Sequence, residues 1–429
     1  LPYLLSYFLQ TLYGMADLFI TGQFYGVDTI TAVSNGSQIM HMMTVIIVGL
    51  AMGTTVTIGH SVGAKCMEQA EKIIGNTITL FMGIAVAFTV ILVVLVKPIV
   101  VLIATPQEAV AGTSVYLLIC FIGIPFITAY NIISSIFRGL GDSKSPMYFI
   151  GIACVMNIAL DYLFMGAFHM GAAGAALGTV CAQTFSVLVA LWVIRRRKTG
   201  ISLKKSDFKI ERAVIGQVLK IGIPVALQDG FIQVAFMIIT VIANSRGVSD
   251  AAAVGVVEKV ISALFIVPSS MLATVSALSA QNLGAGKEKR ATDTLHYATV
   301  ITTIYGMIVA VLIQFIAENV VGIFTSDTTV VTMGSAYIRS YIWDCIFAGI
   351  HFSFSGYFAA CGKSYIGFLH NIISITFVRV PGSYLASKYF TDTLYPMGLA
   401  APAGSLVSVA ICVTAFILLK RKSRVAQTV

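Results

Sequence analysis

Long apolar runs, separated by short polar segments, recur along the whole chain. A helix that crosses a membrane needs about 20 predominantly apolar residues, and twelve such runs can be drawn. Strands of a membrane barrel would instead alternate apolar and polar residues over about ten positions. The pattern therefore predicts an all-α polytopic membrane protein with spans near 1–24, 30–58, 74–103, 110–136, 146–168, 172–194, 212–244, 252–280, 294–324, 332–358, 365–388 and 398–420.

Composition supports this prediction. The 429 residues are 58% hydrophobic and 10% charged, with a mean hydropathy of +0.92, whereas soluble domains carry about 25% charged residues. This excludes a soluble enzyme, a nucleic-acid-binding protein and a disordered chain. We expect contact with membrane lipid and none with nucleic acid. The first residue is Leu1 rather than Met, so we expect further residues before it.

The distribution of Lys and Arg predicts the orientation in the membrane. One set of loops and the C-terminal tail hold 20 of them, against Lys97, Arg246 and Lys388 in the opposite loops. Cytoplasmic loops carry the excess of basic residues, so both termini are expected in the cytoplasm and the protein in the plasma or inner membrane. The same rule explains the net charge of +9, for which a specific anionic-lipid site is the alternative.

The chain divides into two halves of six spans. We predict an N-terminal lobe over 1–194, a cytoplasmic linker over 195–211, and a C-terminal lobe with a short basic tail over 212–429. A constant shift of 221 residues aligns Gly63-Ala64 with Gly284-Ala285, and Gly141 with Gly362. Parallel repeats of this kind are typical of transporters, with the substrate site at the repeat interface. A symmetric channel is the alternative, but no segment resembles a carbonyl-lined filter.

Polar residues inside the N-terminal spans form a candidate cation site. Asn157 and Asp161 are four residues apart and share a helix face. Asp17, Asp161 and Thr179 are each expected in the outer half of the membrane, about 10–12 Å from a helix end. Two carboxylates, an amide and a hydroxyl suit Na⁺, because hard cations prefer oxygen ligands. They suit a proton equally well, and isolated residues bonding to neighbouring helices are a further alternative.

The C-terminal half does not repeat this site, because Asp17 aligns with Ile238 and Asp161 with Gly382. Its intramembrane acids are Asp229, Glu258 and Asp344. Asp229 and Asp344 are candidates for attracting a cationic substrate or for a second ion site. Glu258 can instead pair with Lys259 or Arg379, and Asp344 with Arg379 or Arg339. The six His show no metal-ligand spacing, so we assign them no metal.

Several segments together resemble the MATE (multidrug and toxic compound extrusion) transporters over essentially the whole chain. They are Ala16-Asp17, Gly63-Ala64-Lys65, Gly284-Ala285-Gly286-Lys287, Arg138-Gly139-Leu140-Gly141-Asp142-Ser143 and Ile221-Gly222-Ile223-Pro224. The resemblance implies twelve transmembrane helices in two parallel six-helix bundles.

Within that family the chain is most similar to the DinF-like branch. The resemblance implies a cation site at Asp17, Asn157, Asp161 and Thr179, and a helix-bending proline at Pro2. It also implies pocket-lining roles for four polar residues: Gln10, Tyr13, Tyr116 and Asn131. Two departures are notable. The branch often has Gln where this chain has Asp229, and the span-7 Glu of the NorM-like branch has no clear match.

The resemblance implies a secondary antiporter rather than an enzyme. We expect it to export amphipathic or cationic organic compounds against inward Na⁺ or H⁺, by alternating access, as a monomer and without an organic cofactor. A flippase for lipid-linked or polysaccharide substrates is the nearest alternative, although such a protein should carry a more cationic cavity. An intramembrane enzyme would need an Asp-rich Mg²⁺ motif or a Ser–His pair, and neither is arranged at one depth.

Overall fold

The computed structural model describes residues 2–103, 105–196 and 202–428, with side chains as far as 421, and within them it is helical. Residues 197–201 of the predicted linker lie outside the described residues. The α-helices of the described part are α1 (Pro2–Phe24), α2 (Val27–Gly63), α3 (Met67–Leu102), α4 (Gln107–Ile122), α5 (Ile124–Gly139), α6 (Lys144–Asp161), α7 (Gly171–Arg196), α8 (Arg212–Asn244), α9 (Val248–Leu264), α10 (Ile266–Gly284), α11 (Glu288–Gly322), α12 (Thr328–Tyr341), α13 (Asp344–Ala360), α14 (Ser364–Ser374), α15 (Val380–Tyr389) and α16 (Tyr395–Thr428).

Each of the twelve predicted spans coincides with one of these helices or with successive helical segments. In the described part of the chain, eight are long and apolar enough to cross a membrane, and α4 with α5 adds a ninth that is bent by 52°. The other three are α1, the pair α12–α13 and the segment from α14 to α15. These three carry buried polar groups such as Asp17, Asp344 and His370, which lower their apolarity.

Prolines lie at several of the points where one predicted span is divided into two helical segments. Pro125, Pro268 and Pro381 each lie in the first turn of a new helical segment, where the missing N–H would have no partner within the helix. Pro224 instead lies inside the continuous helix α8. Helical spans are required because the hydrocarbon offers no water to backbone groups.

The repeat is visible in the backbone. Lys65 and Gly286 both adopt a left-handed conformation, with φ of 60° and 70°, and so do Gly141 and Gly362, with φ of 91° and 68°. Each pair is separated by the same 221 residues that align the two halves of the sequence. The turns after corresponding helices therefore share one geometry in both halves.

The chain forms two compact units, the first ending at Gly222 and the second beginning at Ile223. This division lies inside α8. The sequence analysis instead placed a linker between the two lobes over residues 195–211, and that boundary stays a prediction. The start of α8 packs closely on α2 within the first unit. A Cβ atom added at Gly53 would lie 2.0 Å from the Val218 carbonyl oxygen, and a Cβ atom added at Gly222 would lie 2.3 Å from the Leu50 carbonyl oxygen.

Part of the predicted linker is docked on the first unit. The buried Asn76 of α3 donates to the Asp207 carbonyl at 3.0 Å and accepts from the Glu211 amide at 2.6 Å. A Cβ at Gly75 would lie 2.4 Å from the Asp207 carbonyl oxygen. The short 3₁₀ turn Lys205–Phe208 is thus held against α3 by hydrogen bonds between the Asn76 side chain and backbone groups, and by the close approach of the backbone at Gly75.

The second unit has its own apolar core. It joins buried residues of α8, α9, α11, α12 and α16, with Tyr337 and Tyr341 among the largest. In this unit a single arginine side chain holds a loop in place. The Arg246 guanidinium, between α8 and α9, pairs with Asp250 at 2.7 Å and donates to carbonyls of the segment 387–393.

Candidate functional site

Asp17 and Thr179 meet inside the first unit. The Thr179 hydroxyl of α7 donates to the Asp17 carboxylate of α1 at 3.2 Å. Asp17 also interacts with the side chains of Asn157 and Asp161 on α6. All four residues are buried, with Asn157 and Asp161 at 0% exposure. The structure thus brings together the four residues that the sequence selected for a cation site.

A change of helix type follows this site directly. Asp161 is the last residue of α6, and the π-helical turn Tyr162–Ala167 comes next. Such π segments are frequent at functional sites, because the wider turn redirects side chains. The Asn157 amide donates to the Asp161 carboxylate at 3.4 Å. The shared face predicted from the four-residue spacing is therefore present, with Asp161 directly before the π turn and Asn157 one helical turn earlier.

Three oxygens of the site accept no hydrogen bond from any described residue. They are Oδ1 of Asp17, Oδ1 of Asn157 and Oδ2 of Asp161, and all three are buried. A buried oxygen without a donor is costly, by about 1–3 kcal/mol and more when it is charged. A cation or protons would remove this cost. The residues present therefore fit an oxygen-liganded cation such as Na⁺, and they fit H⁺ equally.

Gly178 is a residue of the site that sequence reasoning missed. A Cβ at this position would lie 2.1 Å from Oδ1 of Asp161, so α7 approaches the carboxylate closely only because no side chain intervenes. The available signal was the small-residue spacing of Gly174 and Gly178, four residues apart, which is typical of close helix packing in membranes.

The other predicted residues of the first unit divide into two groups. Tyr13 donates to the Thr179 carbonyl at 3.4 Å, and Tyr116 shares a 3.0 Å hydrogen bond with Ser37. The charge of Asp17 acts on both tyrosines, so they lie near the candidate cation site.

Three more predicted residues lie elsewhere. Asn131 is buried and donates to the Ile127 carbonyl of its own helix. Gln10 is exposed, and Pro2 is the first described residue of α1. Nothing in these positions tests the predicted pocket-lining roles or the predicted bending of α1, which stay predictions.

The acids of the second unit have different surroundings. Asp229 is half-buried on α8. Glu258 accepts from the Thr240 hydroxyl at 3.3 Å and lies within electrostatic range of Arg379. Arg339, one of the two arginines predicted as a possible ion-pair partner of Asp344, pairs with Glu318 at 3.2 Å instead.

Asp344 is buried at the start of α13, with 1% exposure. It interacts with the Ser405 hydroxyl of α16 and with the charge of Arg379. The Arg379 guanidinium also bonds to the Tyr341 hydroxyl and lies 5.0 Å from the ring centre of Phe236. The substrate-attracting role predicted for Asp344 and Asp229 stays a prediction.

The chain resembles known proteins over most of its length. A family model described as MatE matches the chain twice, over residues 2–163 and 224–385. A curated relative, the probable multidrug resistance protein YpnP of Bacillus subtilis strain 168, is 29% identical over 93% of this chain and 89% of its own. The probable multidrug resistance protein YoeA of the same strain is 26% identical over 95% of this chain and 89% of its own.

Solved structures share the fold. One is the outward-facing conformation of a multidrug resistance MATE family transporter of the MOP superfamily. It superimposes with a TM-score of 0.91 at 20% identity, covering 98% of this chain and 95% of that one. At this level of identity the likeness establishes the fold alone.

Proposed function

The chain belongs to the MATE family of multi-pass membrane transporters, and from that premise we propose that it is a secondary antiporter that exports organic compounds in exchange for Na⁺ or H⁺. Its substrates would be amphipathic or cationic drugs. The names of its relatives, which are probable multidrug resistance proteins, support a role in drug export. The protein would work in the plasma or inner membrane with both termini in the cytoplasm, where the basic loops are expected.

One observation carries the coupling part of this proposal. The buried carboxylates of Asp17 and Asp161 lie together with Asn157 and Thr179, and three of their oxygens receive no hydrogen bond from the described residues. A site with two carboxylates and unsatisfied oxygens binds a cation only when it is at least partly deprotonated. Na⁺ and H⁺ would therefore compete for the same oxygens.

Alternating access would follow from this competition. The site links α1 to α6 and α7 through Asp17, so its occupancy changes the forces that hold α1 in place. Coupling requires that cation and substrate prefer different conformations, or compete for one. Inward-moving cation would favour the conformation from which the organic substrate leaves.

The experiment is uptake of a fluorescent cationic dye into inverted membrane vesicles, with Na⁺ and pH gradients imposed separately. Asp17→Asn and Asp161→Asn should each abolish gradient-driven uptake while the protein stays inserted and monodisperse. Asp28→Asn is the matched control, because Asp28 is an exposed carboxylate in the same unit. Wild-type rates in both site variants would show that the coupling assignment is wrong.

A further inference from the structure

The docked part of the predicted linker has features that the proposed function does not use. We call residues 202–212 the linker segment. Its four cationic side chains, those of Lys204, Lys205, Lys209 and Arg212, are all exposed. Within the described part of the chain none of the four forms an ion pair. These cations are therefore available to an anionic partner.

One of the two acids of the linker segment faces the protein instead. Asp207 is buried, and its carboxylate accepts the Lys204 backbone N–H at 2.7 Å. The other acid, Glu211, is exposed. The fold of the turn thus places one carboxylate inside while the cations stay outside. The outer surface carries four positive charges against one negative charge.

Three apolar side chains are exposed among these cations. Leu203, Phe208 and Ile210 are between 39% and 60% exposed. Exposed apolar groups interspersed with lysine are typical of elements that lie in the membrane interface. The apolar groups enter the boundary of the acyl chains, while the long basic side chains reach the headgroups.

The length of α3 places the linker segment at this boundary. No charged residue lies between Lys72 and Lys97 of that helix. The hydrocarbon core is about 30 Å thick, which corresponds to about 20 residues of helix at about 1.5 Å each. Counted back from Lys97, this distance ends near Thr77. The next residue toward the start of α3 is Asn76, which holds the linker segment.

Further hydrogen bonds fix the linker segment at that level. The Thr79 hydroxyl of α3 donates to the Phe208 carbonyl at 2.9 Å, and the Ser202 amide donates to the Glu71 carboxylate at 2.6 Å. With the two bonds of Asn76, these contacts hold the segment along one side of α3. A surface that is already ordered loses less entropy when it binds a partner.

The helix before the linker ends with the same chemistry. Near the end of α7 the Arg196 guanidinium lies 4.6 Å from the ring centre of Trp192, and this tryptophan is exposed. Tryptophan is enriched where membrane and water meet. Both described ends of the linker therefore combine an exposed aromatic ring with basic side chains.

We propose that the linker segment is a binding surface for anionic phospholipids of the cytoplasmic leaflet. Its cations contact the lipid phosphates, while Phe208 and Ile210 enter the boundary of the acyl chains. The preference of basic residues for cytoplasmic loops explains the sign of the charge. It does not require exposed apolar side chains among the cations, or a turn docked at the level of the headgroups. This binding does not depend on the proposed function.

Tryptophan fluorescence in lipid vesicles tests the proposal on the full chain. The chain has two tryptophans, Trp192 and Trp343. Trp192→Phe and Trp343→Phe, combined with Phe208→Trp, leave one reporter inside the linker segment. Its quenching is compared between brominated phosphatidylglycerol and brominated phosphatidylcholine, each at the same mole fraction in an unbrominated zwitterionic bilayer. Phosphatidylglycerol should bind at least about fivefold more tightly, the factor that one lysine supplies near an anionic surface.

Variants of this reporter protein test which residues are responsible. Lys205→Gln with Lys209→Gln should bring quenching by the two lipids close to equality. Lys289→Gln with Arg290→Gln is the matched control, because it removes the same charge from exposed positions of another loop on the expected cytoplasmic side, and it should keep the preference. Asn76→Ala should reduce the preference, because it removes two of the bonds that hold the linker segment.

Equal quenching by the two lipids in the reporter protein, or no quenching by either, would overturn the proposal. Equal losses in the two double variants would also overturn it, because total charge rather than the linker segment would then attract the lipid. An unchanged preference in Asn76→Ala would show that the docked geometry is not needed. Asp17→Asn should keep the lipid preference, so normal dye transport by that variant, which contradicts the proposed function, is distinguishable from failure of this inference.

Discussion

The Thr179 hydroxyl donates to Asp17 across 162 residues of sequence, at 3.2 Å and out of contact with solvent. This bond fixes one oxygen of the carboxylate and leaves the other without a donor among the described residues. Asp17 is thereby oriented, while keeping an acceptor for a cation or a proton.

Thr179→Val should weaken coupling without unfolding the protein. A hydrogen bond to a charged group contributes about 1.5–3 kcal/mol, so the cation concentration for half-maximal dye uptake should rise about tenfold, the factor that 1.4 kcal/mol represents. Thr179→Ser should keep most of the wild-type response. Thr184→Val is the control, because its hydroxyl bonds to the Val180 carbonyl of the same helix. Equal responses in Thr179→Val and the control would contradict the assignment.

Gly178→Ala should abolish most gradient-driven uptake, because the added methyl group would lie 2.1 Å from the Asp161 carboxylate. The displaced carboxylate would no longer share the site with Asp17. Gly151→Ala, on the neighbouring helix α6, should behave as wild type, since its nearest neighbour would be the Leu9 side chain at 3.8 Å. Both variants should be compared at equal amounts of inserted protein.

Na⁺ should protect the purified protein against thermal unfolding, and the protection should weaken as pH falls. The sign follows from the ligands, because protonated Asp17 or Asp161 loses the negative charge that attracts Na⁺. Melting curves in matched Na⁺ and K⁺ buffers across a pH series measure the effect. Asp17→Asn should show neither the protection nor its pH dependence. No Na⁺ effect at any pH would leave a proton-only antiporter.

Arg246→Met should destabilise the second unit strongly. The guanidinium is held by Asp250 and by carbonyls of Ser387, Phe390 and Thr391, and removing one partner of a buried ion pair costs about 3–5 kcal/mol. The thermal midpoint should fall clearly. Arg246→Lys should restore it only in part, because lysine lacks the planar fork of donors. Lys97→Met, at an exposed position, should leave the midpoint unchanged.

Asn76→Ala should release the docked part of the linker. Its amide makes hydrogen bonds to Asp207 and Glu211 that no alanine can replace. Trypsin should then cut at Lys204 or Lys205 about tenfold faster, as expected when about 1.4 kcal/mol of local stability is lost. Asn282→Ala, where the amide donates within its own helix, should not accelerate cleavage. Equal cleavage rates would show that docking does not depend on Asn76.

Sequence alone determined the membrane setting, the helical class, the twelve spans and the repeat. These follow from local patterns, because the bilayer demands long apolar helices and a constant shift of 221 residues needs no coordinates. It also selected Asp17, Asn157, Asp161 and Thr179, since charged or polar residues are conspicuous in apolar spans. Their common depth could be estimated from helix rise alone.

Only the tertiary structure decided which of those polar residues meet. The closeness of Gly178 to Asp161 depends on how α6 and α7 cross, and the π turn after Asp161 has no clear sequence signature. The six histidines had no ligand spacing, yet His351 and His370, 19 residues apart, face each other because α13 and α14 pack together. Spacing along a chain reports neighbours within one helix, whereas contacts between helices depend on side-chain packing across the whole bundle.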